Sequence, residues 1–182
     1  MKSILYIMLL LCSFFIQAQS SSNEKAASNV SLSKKYAPKL LEAYQENAKT
    51  KVEDLFAYFQ MLTDASLTDD YKKEIVKNIQ YTFKNQNPEV IDFTSPTLDK
   101  ILLNDFIQKL LISEPMIFKV SKATQNGTEN YLSWKSGYTV TKTKSGISED
   151  ITVNQVVFLF EESKSFGSIS KNVTVTFLGK MD

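Results

Sequence analysis

Asp64, Asp92, Asp105, Glu114 and Glu149 fall near the ends of the elements that the sequence predicts, where a carboxylate can face a cleft. Two carboxylates across a cleft perform acid–base hydrolysis of glycosides. No spacing along the chain brings two of them together, and Asp105, on a helix, reads equally as a solvated or salt-bridged surface residue. Asp69 and Asp70 sit where a helix start favours anions. A second chemistry belongs to rings. Tyr131, Trp134 and Tyr138 cluster in a strand region, and flat amphipathic rings of this kind line pocket mouths and sugar-stacking surfaces. They are the candidate ligand-binding residues. The competing reading makes Trp134 a core or edge residue packed on the helices.

The remaining composition closes more chemistry than it opens. The chain has no histidine, and all 21 basic residues are lysines. Imidazole bases, histidine metal ligands and Ser-His-Asp triads are therefore absent, as is a bidentate guanidinium grip on phosphate or carboxylate. With 1 cysteine and no D-x-D-x-D-G loop, neither zinc nor an EF-hand calcium site is supported, and no cofactor or metal is expected. The 5 glycines form neither a dinucleotide fingerprint nor a Walker loop. Ser136-Gly137 and Ser145-Gly146 lack the second glycine of a nucleophile elbow. Asn-x-Ser/Thr triplets at Asn29, Asn126 and Asn172 matter only in a eukaryotic secretory pathway.

The N-terminus carries an address. Lys2 precedes an apolar run over residues 4–16, broken only by Ser13. That run is shorter than the about 20 residues a membrane-spanning helix needs. A charged start, a short apolar middle and a small residue at the end fit a cleavable secretory signal over residues 1–18, cut between Ala18 and Gln19. The rival fate is a lipoprotein cut before Cys12, although Leu11 stands where that motif has a small residue. Either way the expected location is outside the cytosol, in the periplasm or extracellular space. Cleavage removes Lys2 and Cys12, leaving lysines and acids equal in number and no thiol. Strong attraction to nucleic acid or anionic lipid is not expected from such a balance, nor is a membrane span after processing. A thiol-free exported chain must rely on its core, and a domain of this size buries on the order of 70% of its unfolded surface. Residues 19–31 are small and polar, a flexible tether, and residues 32–182 form one domain.

Within that domain, Leu41, Tyr44, Ala48, Val52, Leu55, Phe59 and Leu62 make one stripe of a long helix over residues 37–63. Pro38 belongs in its first turn, and Thr50-Lys51-Val52-Glu53 matches a capping box that would divide it in two. Thr68 caps a second helix striped by Tyr71, Ile75, Ile79 and Phe83, and Asn87-Pro88 ends it. A short strand is predicted over residues 90–93, then a third helix from about Ser95 or Thr97 to Glu114. After Pro115 the period becomes two. Strands are expected over residues 116–121, 131–134, 138–143, 151–160 and 169–178, with a hairpin turn at Asn126-Gly127, a bulge at Gly137, a turn at Ser145-Gly146 and a link over residues 163–167. Thr139, Thr141, Thr143, Thr174 and Thr176 are expected to face solvent, opposite Val140, Val173, Val175 and Phe177.

These elements predict an α+β fold: two to three N-terminal helices packed on one face of a curved antiparallel sheet of four to five strands. The element order over residues 37–178 resembles the nuclear transport factor 2-like (cystatin-like) group, in which a bent sheet wraps a long N-terminal helix around a conical pocket. The resemblance implies a layout and no site residues. The expected function is an exported, non-enzymatic domain that binds a small molecule or an envelope protein through a helix–sheet pocket or a sheet surface. The alternatives are an enzyme using a carboxylate and tyrosine in that pocket, or an assembly subunit adding a strand at residues 173–178. Mass spectrometry of the native N-terminus tests the address: the expected terminus is Gln19, and a lipid-modified Cys12 would identify the anchored form instead.

Overall fold

The computed structural model describes residue 32 and residues 36–130 and 132–182. The predicted signal with its cut between Ala18 and Gln19, Cys12, the tether and Tyr131 lie outside the described residues. Among the described residues, three helices lie against a curled, four-stranded antiparallel sheet, an α+β half-barrel.

Helix α1, Pro38–Leu62, starts with proline in its first turn and buries Ala48, Val52, Leu55, Phe56, Phe59 and Leu62, one stripe at spacings of three and four. It is a single helix. Thr50 does not cap a second one, because its hydroxyl donates back to the Glu46 carbonyl at 3.2 Å. Helix α2, Asp69–Thr82, begins at Thr68, whose side chain accepts the Tyr71 N–H. Asp69 and Asp70 occupy its first turn, and Ile75 and Ile79 face the core.

The next stretch departs from the predicted third helix. Strand β1, Glu89–Ile91, pairs antiparallel with β2, Lys100–Leu102, and only then does helix α3, Leu103–Leu111, begin. Two features keep residues 92–99 out of a helix. Leu98 has φ 51°, in the left-handed region, and Asp92 folds the segment back on itself, its N–H reaching the Asp99 carbonyl at 2.8 Å.

Four strands follow: β3, Met116–Asn130; β4, Ser133–Lys144; β5, Ile147–Phe166; and β6, Ile169–Met181, in the order β3-β4-β5-β6. Asn126-Gly127 is not a turn. It runs inside β3, and the chain reverses only after Asn130, which is opposite Ser133. Register shifts on the β3–β4 ladder absorb the surplus residues. Gly137 carries no bulge in its ladder with β5, where it stands opposite Asn154, so β4 is one strand. Ser145 and Gly146 turn at φ 50° and 80°, the paired positive values of a type I′ hairpin. Residues 163–166 extend β5 rather than linking two strands, and the reversal falls at Gly167, φ 66°.

The core fills the concave side of the sheet. Trp134, Tyr138 and Val140 of β4 and Ile151, Val153, Val157 and Leu159 of β5 meet the helices. Phe56 is the centre: its ring lies edge-on to Phe59, Phe93 and Tyr138 at 5.5, 5.3 and 6.0 Å and tilts onto Phe118 at 5.7 Å. Thr176, expected in solvent, points into this side, 1% exposed and hydrogen-bonded to Asn47 of α1. Its neighbour Leu178 is buried on the same face, because two-residue alternation aims both inward. Phe56→Ala should lower unfolding free energy by about 3–5 kcal/mol, the range for emptying an aromatic site. Tyr138→Phe, which strands the buried Gln155 acceptor, should cost about 1–3 kcal/mol. Urea titrations check both.

Candidate functional site

The five candidate carboxylates have different partners in the structure. Asp64 follows α1 and accepts the Ser66 N–H at 2.8 Å; hydrogen bonds from Ser66 hold its carboxyl below the ordinary value. Asp105 lies exposed in the first turn of α3. Glu114 accepts from Ser145 and lies 3.7 Å from Lys144, while Glu149 pairs with Lys142 at 2.9 Å.

Asp92 differs, being 1% exposed. Its Oδ1 accepts the Thr94 N–H at 2.9 Å and the Thr94 hydroxyl at 2.5 Å, and its Oδ2 accepts the Lys109 ammonium at 2.5 Å. Burial pushes the carboxyl up, but Lys109 and Thr94 together outweigh it and hold it below the ordinary range. An ionised carboxylate with three donors already seated has no proton to give and no free lone pair aimed at an opening. Its effect is to lock the loop after β1 onto α3.

Trp134 and Tyr138 are core residues, 1% and 2% exposed. The Tyr138 hydroxyl donates to Gln155 Oε1 at 2.6 Å, and Gln155 Nε2 donates to the Gly179 carbonyl at 3.2 Å. Burial pushes the Tyr138 hydroxyl well above its ordinary value, so it stays protonated. Tyr131, the third ring, lies outside the described residues.

That buried chain leads to the outer face of the sheet. Gln155 stands opposite Met181 and Val157 opposite Leu178, so Gly179 and Lys180 together face the single residue Val156. This is a bulge in β6, held by the Gln155 side chain. Glycine is required there: a Cβ on residue 179 would lie 2.6 Å from the Phe158 ring and 3.1 Å from Val156 Cβ. The Phe158 ring packs against this point and lines a groove of about 580 Å³. Its walls are Lys84, Asn85, Asn87, Pro88, Glu89, Leu102 and Lys180.

The walls are tied down by the backbone. The Lys84 N–H donates to the Leu178 carbonyl at 3.0 Å, beside a parallel bridge between Phe83 and Leu178. This contact covers the Leu178 end of the β6 edge. It also brings the Lys84 ammonium over the Phe158 and Phe160 rings, at 5.0 and 4.6 Å from their centroids. Asn87 caps α3 from outside, its side chain accepting the Asn104 N–H at 2.8 Å. Further along the same face, Lys51 of α1 lies 5.6 Å from the Phe177 ring. Burial, and then the Lys164 ammonium, hold the Lys51 amine below its ordinary value.

The groove can take an apolar group on Phe158, Leu102 and Pro88 and an anion beside Lys84, with Lys180, itself 3.6 Å from Asp182, on the other wall. None of these residues was singled out in the sequence. One signal was present, since Val156 to Phe160 is apolar at every position, as a strand covered on both faces must be. A second cleft of about 710 Å³ separates α2 from α3, but its charged lining includes the Lys73–Asp70 and Lys77–Glu74 pairs, already closed at 2.8 and 2.6 Å. Among the described residues, no three His, Cys, Asp or Glu side chains gather to hold a metal, and no helix is long and apolar enough to cross a membrane. Comparison of the chain with protein families, curated proteins and solved structures gives no match.

Asp92 gives a pH prediction. Its carboxyl is depressed on folding, so its stabilisation is complete above the ordinary carboxylate range and is lost as pH falls through the lower folded-state value. Urea midpoints followed from neutral to acid pH should fall less steeply for Asp92→Asn than for the parent. At neutral pH Asp92→Ala should cost about 1–3 kcal/mol through its stranded donors.

Proposed function

We propose that the chain is an exported, non-enzymatic binding protein whose ligand is a small amphipathic anion held in the groove between the α2–β1 connection and the outer face of β5 and β6. Export rests on residues 1–18, with their charged start, short apolar run and small residue at Ala18. The location is the periplasm or the extracellular space.

One observation carries the binding half: a fixed ammonium, Lys84, stands over the rings of Phe158 and Phe160 at the rim of a groove of about 580 Å³. Grooves that hold small ligands are typically about 300–1,000 Å³, mostly apolar, with a few convergent polar groups. In the nuclear transport factor 2-like layout suggested by the element order, a ligand would enter the concave side of the sheet. Phe56, Phe118, Trp134 and Tyr138 occupy that side here, so the proposed site lies on the opposite face. The groove accepts a ring or short acyl group over Phe158, with a carboxylate, sulfonate or phosphate between Lys84 and Lys180.

Anilinonaphthalene sulfonate, an aromatic ring system carrying one anion, is the probe. It should bind the folded protein at one saturable site with a rise in fluorescence. Leu102 is 45% exposed, so Leu102→Glu should leave near-ultraviolet circular dichroism unchanged. Both Leu102→Glu and Lys84→Glu should weaken binding by about tenfold or more, equivalent to about 1.4 kcal/mol. Binding left intact by both substitutions would remove the groove from the reading.

A further inference from the structure

Beyond Leu159, whose N–H is held by the Leu132 carbonyl at 2.7 Å, β5 has β6 as its only strand partner among the described residues. The ladder continues from Phe160 opposite Val175 to Phe166 opposite Ile169, an arm of about 20 Å at the usual rise per residue. Residues 163–172 are all exposed. The outer half of the arm, residues 163–172, is thus a two-stranded ribbon with neither face packed, which is marginal in water by itself.

Its chemistry is graded along its length. Phe166 and Ile169 face each other at the extreme tip, each 58% exposed, on either side of the turn at Gly167. One rung back, Ser165 and Ser170 approach with hydroxyls 3.3 Å apart. One rung further, and on the same face as the apolar pair, Lys164 stands opposite Lys171. Like charges directly opposite across a ladder repel. Glu162 meets Lys164 only at 4.0 Å, and Lys171 has no ion pair among the described residues. The two ammoniums thus wait about 7 Å behind the apolar tip, two residues along a strand. That offset matches the step from the headgroup–acyl boundary of a bilayer to its phosphates, because interfacial apolar groups sink about 5–10 Å while lysines stay with the anions.

We propose that the tip of the β5–β6 hairpin docks on an anionic phospholipid surface, with Phe166 and Ile169 entering the headgroup–acyl boundary and Lys164 and Lys171 pairing with lipid phosphates. The placement of the apolar pair favours a bilayer over an acidic protein. It occupies the end of the ribbon, ahead of the charges, where a flat surface reaches it; further back on that face the Lys84 ammonium already lies over Phe160. The formal neutrality of the processed chain is no obstacle, since the lysines are gathered locally. This proposal does not depend on the groove at Lys84.

Flotation of the purified full chain with phosphatidylcholine–phosphatidylglycerol vesicles, and with phosphatidylcholine vesicles alone, provides the test. Residues 4–16 are a second apolar segment, so the readout is the difference between the parent and hairpin variants. The parent should bind the anionic vesicles more tightly, and added salt should erase the preference. Lys164→Gln combined with Lys171→Gln should weaken anionic binding roughly 30-fold, from the usual attraction per lysine near such a surface. Phe166→Ser combined with Ile169→Ser should weaken binding to the same vesicles, while thermal unfolding and anilinonaphthalene sulfonate binding stay as in the parent. Anionic binding equal in the parent and both double variants would overturn the proposal. So would lysine-dependent retention on polyglutamate without vesicle binding, which assigns the pair to an acidic protein. A dimer dispersed by Phe166→Ser without vesicle binding would overturn it in favour of a second copy.

Discussion

The ring of Phe56 is where the two halves of the chain meet. It comes from the long helix and touches Phe93 after the first short strand, Phe118 on β3 and Tyr138 on β4. A curled sheet with its two edge strands apart encloses a trough, and α1 closes it, packing on β3 at one edge and β6 at the other. Apolar burial drives the closure, and edge-to-face ring contacts give it a defined geometry. The consequence for function is spatial. Aromatic rings fill much of the concave side and leave a cleft of about 310 Å³ between α1 and β3, lined by Phe56 and Phe118.

The polar interior transmits that packing to the outside. Tyr138 is too deep to reach water, and its hydroxyl is satisfied by Gln155. Gln155 in turn holds the Gly179 carbonyl and with it the bulge that turns Lys180 outward. The same bulge sets a backbone without a side chain against the Phe158 ring. A buried tyrosine, a buried amide and a glycine therefore shape a surface groove that none of them lines with a polar group. Asp92 performs a parallel task on the other side of the groove, by fixing α3 and the ribbon of β1 and β2 from which Leu102 projects.

How much of this was legible beforehand follows from which forces are local. The α1 stripe, the Thr68 cap with Asp69 and Asp70, and the change to period two after Pro115 depend on neighbours within a turn or two, and the helix and sheet halves could be read from them. The short strand at Lys100–Leu102 could not, because it exists through a register with Glu89–Ile91 and through a loop closed by Asp92 and the left-handed Leu98. The Asn126-Gly127 signal is a strong local preference that lost to the ladder, in which Trp134 must oppose Val157 to point inward. Thr176 misled for a similar reason. Threonine suits a solvated strand face, but Asn47 on α1 offers it a partner inside. The groove was the least legible feature, since Lys84, Leu102, Phe158 and Gly179 come from distant segments joined only by the fold.

Charge shows the same division between sum and place. A chain whose lysines and acids balance has little long-range field, and that sum by itself argues against anionic surfaces. Screening shortens every electrostatic interaction to about 8–10 Å at ordinary ionic strength, so a partner feels only the groups within that distance of the contact. At the groove those groups include Lys84, Lys180 with its partner Asp182, and Glu89; at the hairpin tip they include Lys164 and Lys171, with Glu162 one same-face rung behind. Both places set an ammonium beside an apolar or aromatic surface. On the helical side the acids and lysines close on each other instead, as at Asp70 with Lys73 and Glu74 with Lys77. The sheet closes pairs too, Lys142 with Glu149 and Lys144 with Glu114, so the neutral total conceals local exceptions such as Lys84 on its rings and Lys171 at the hairpin tip.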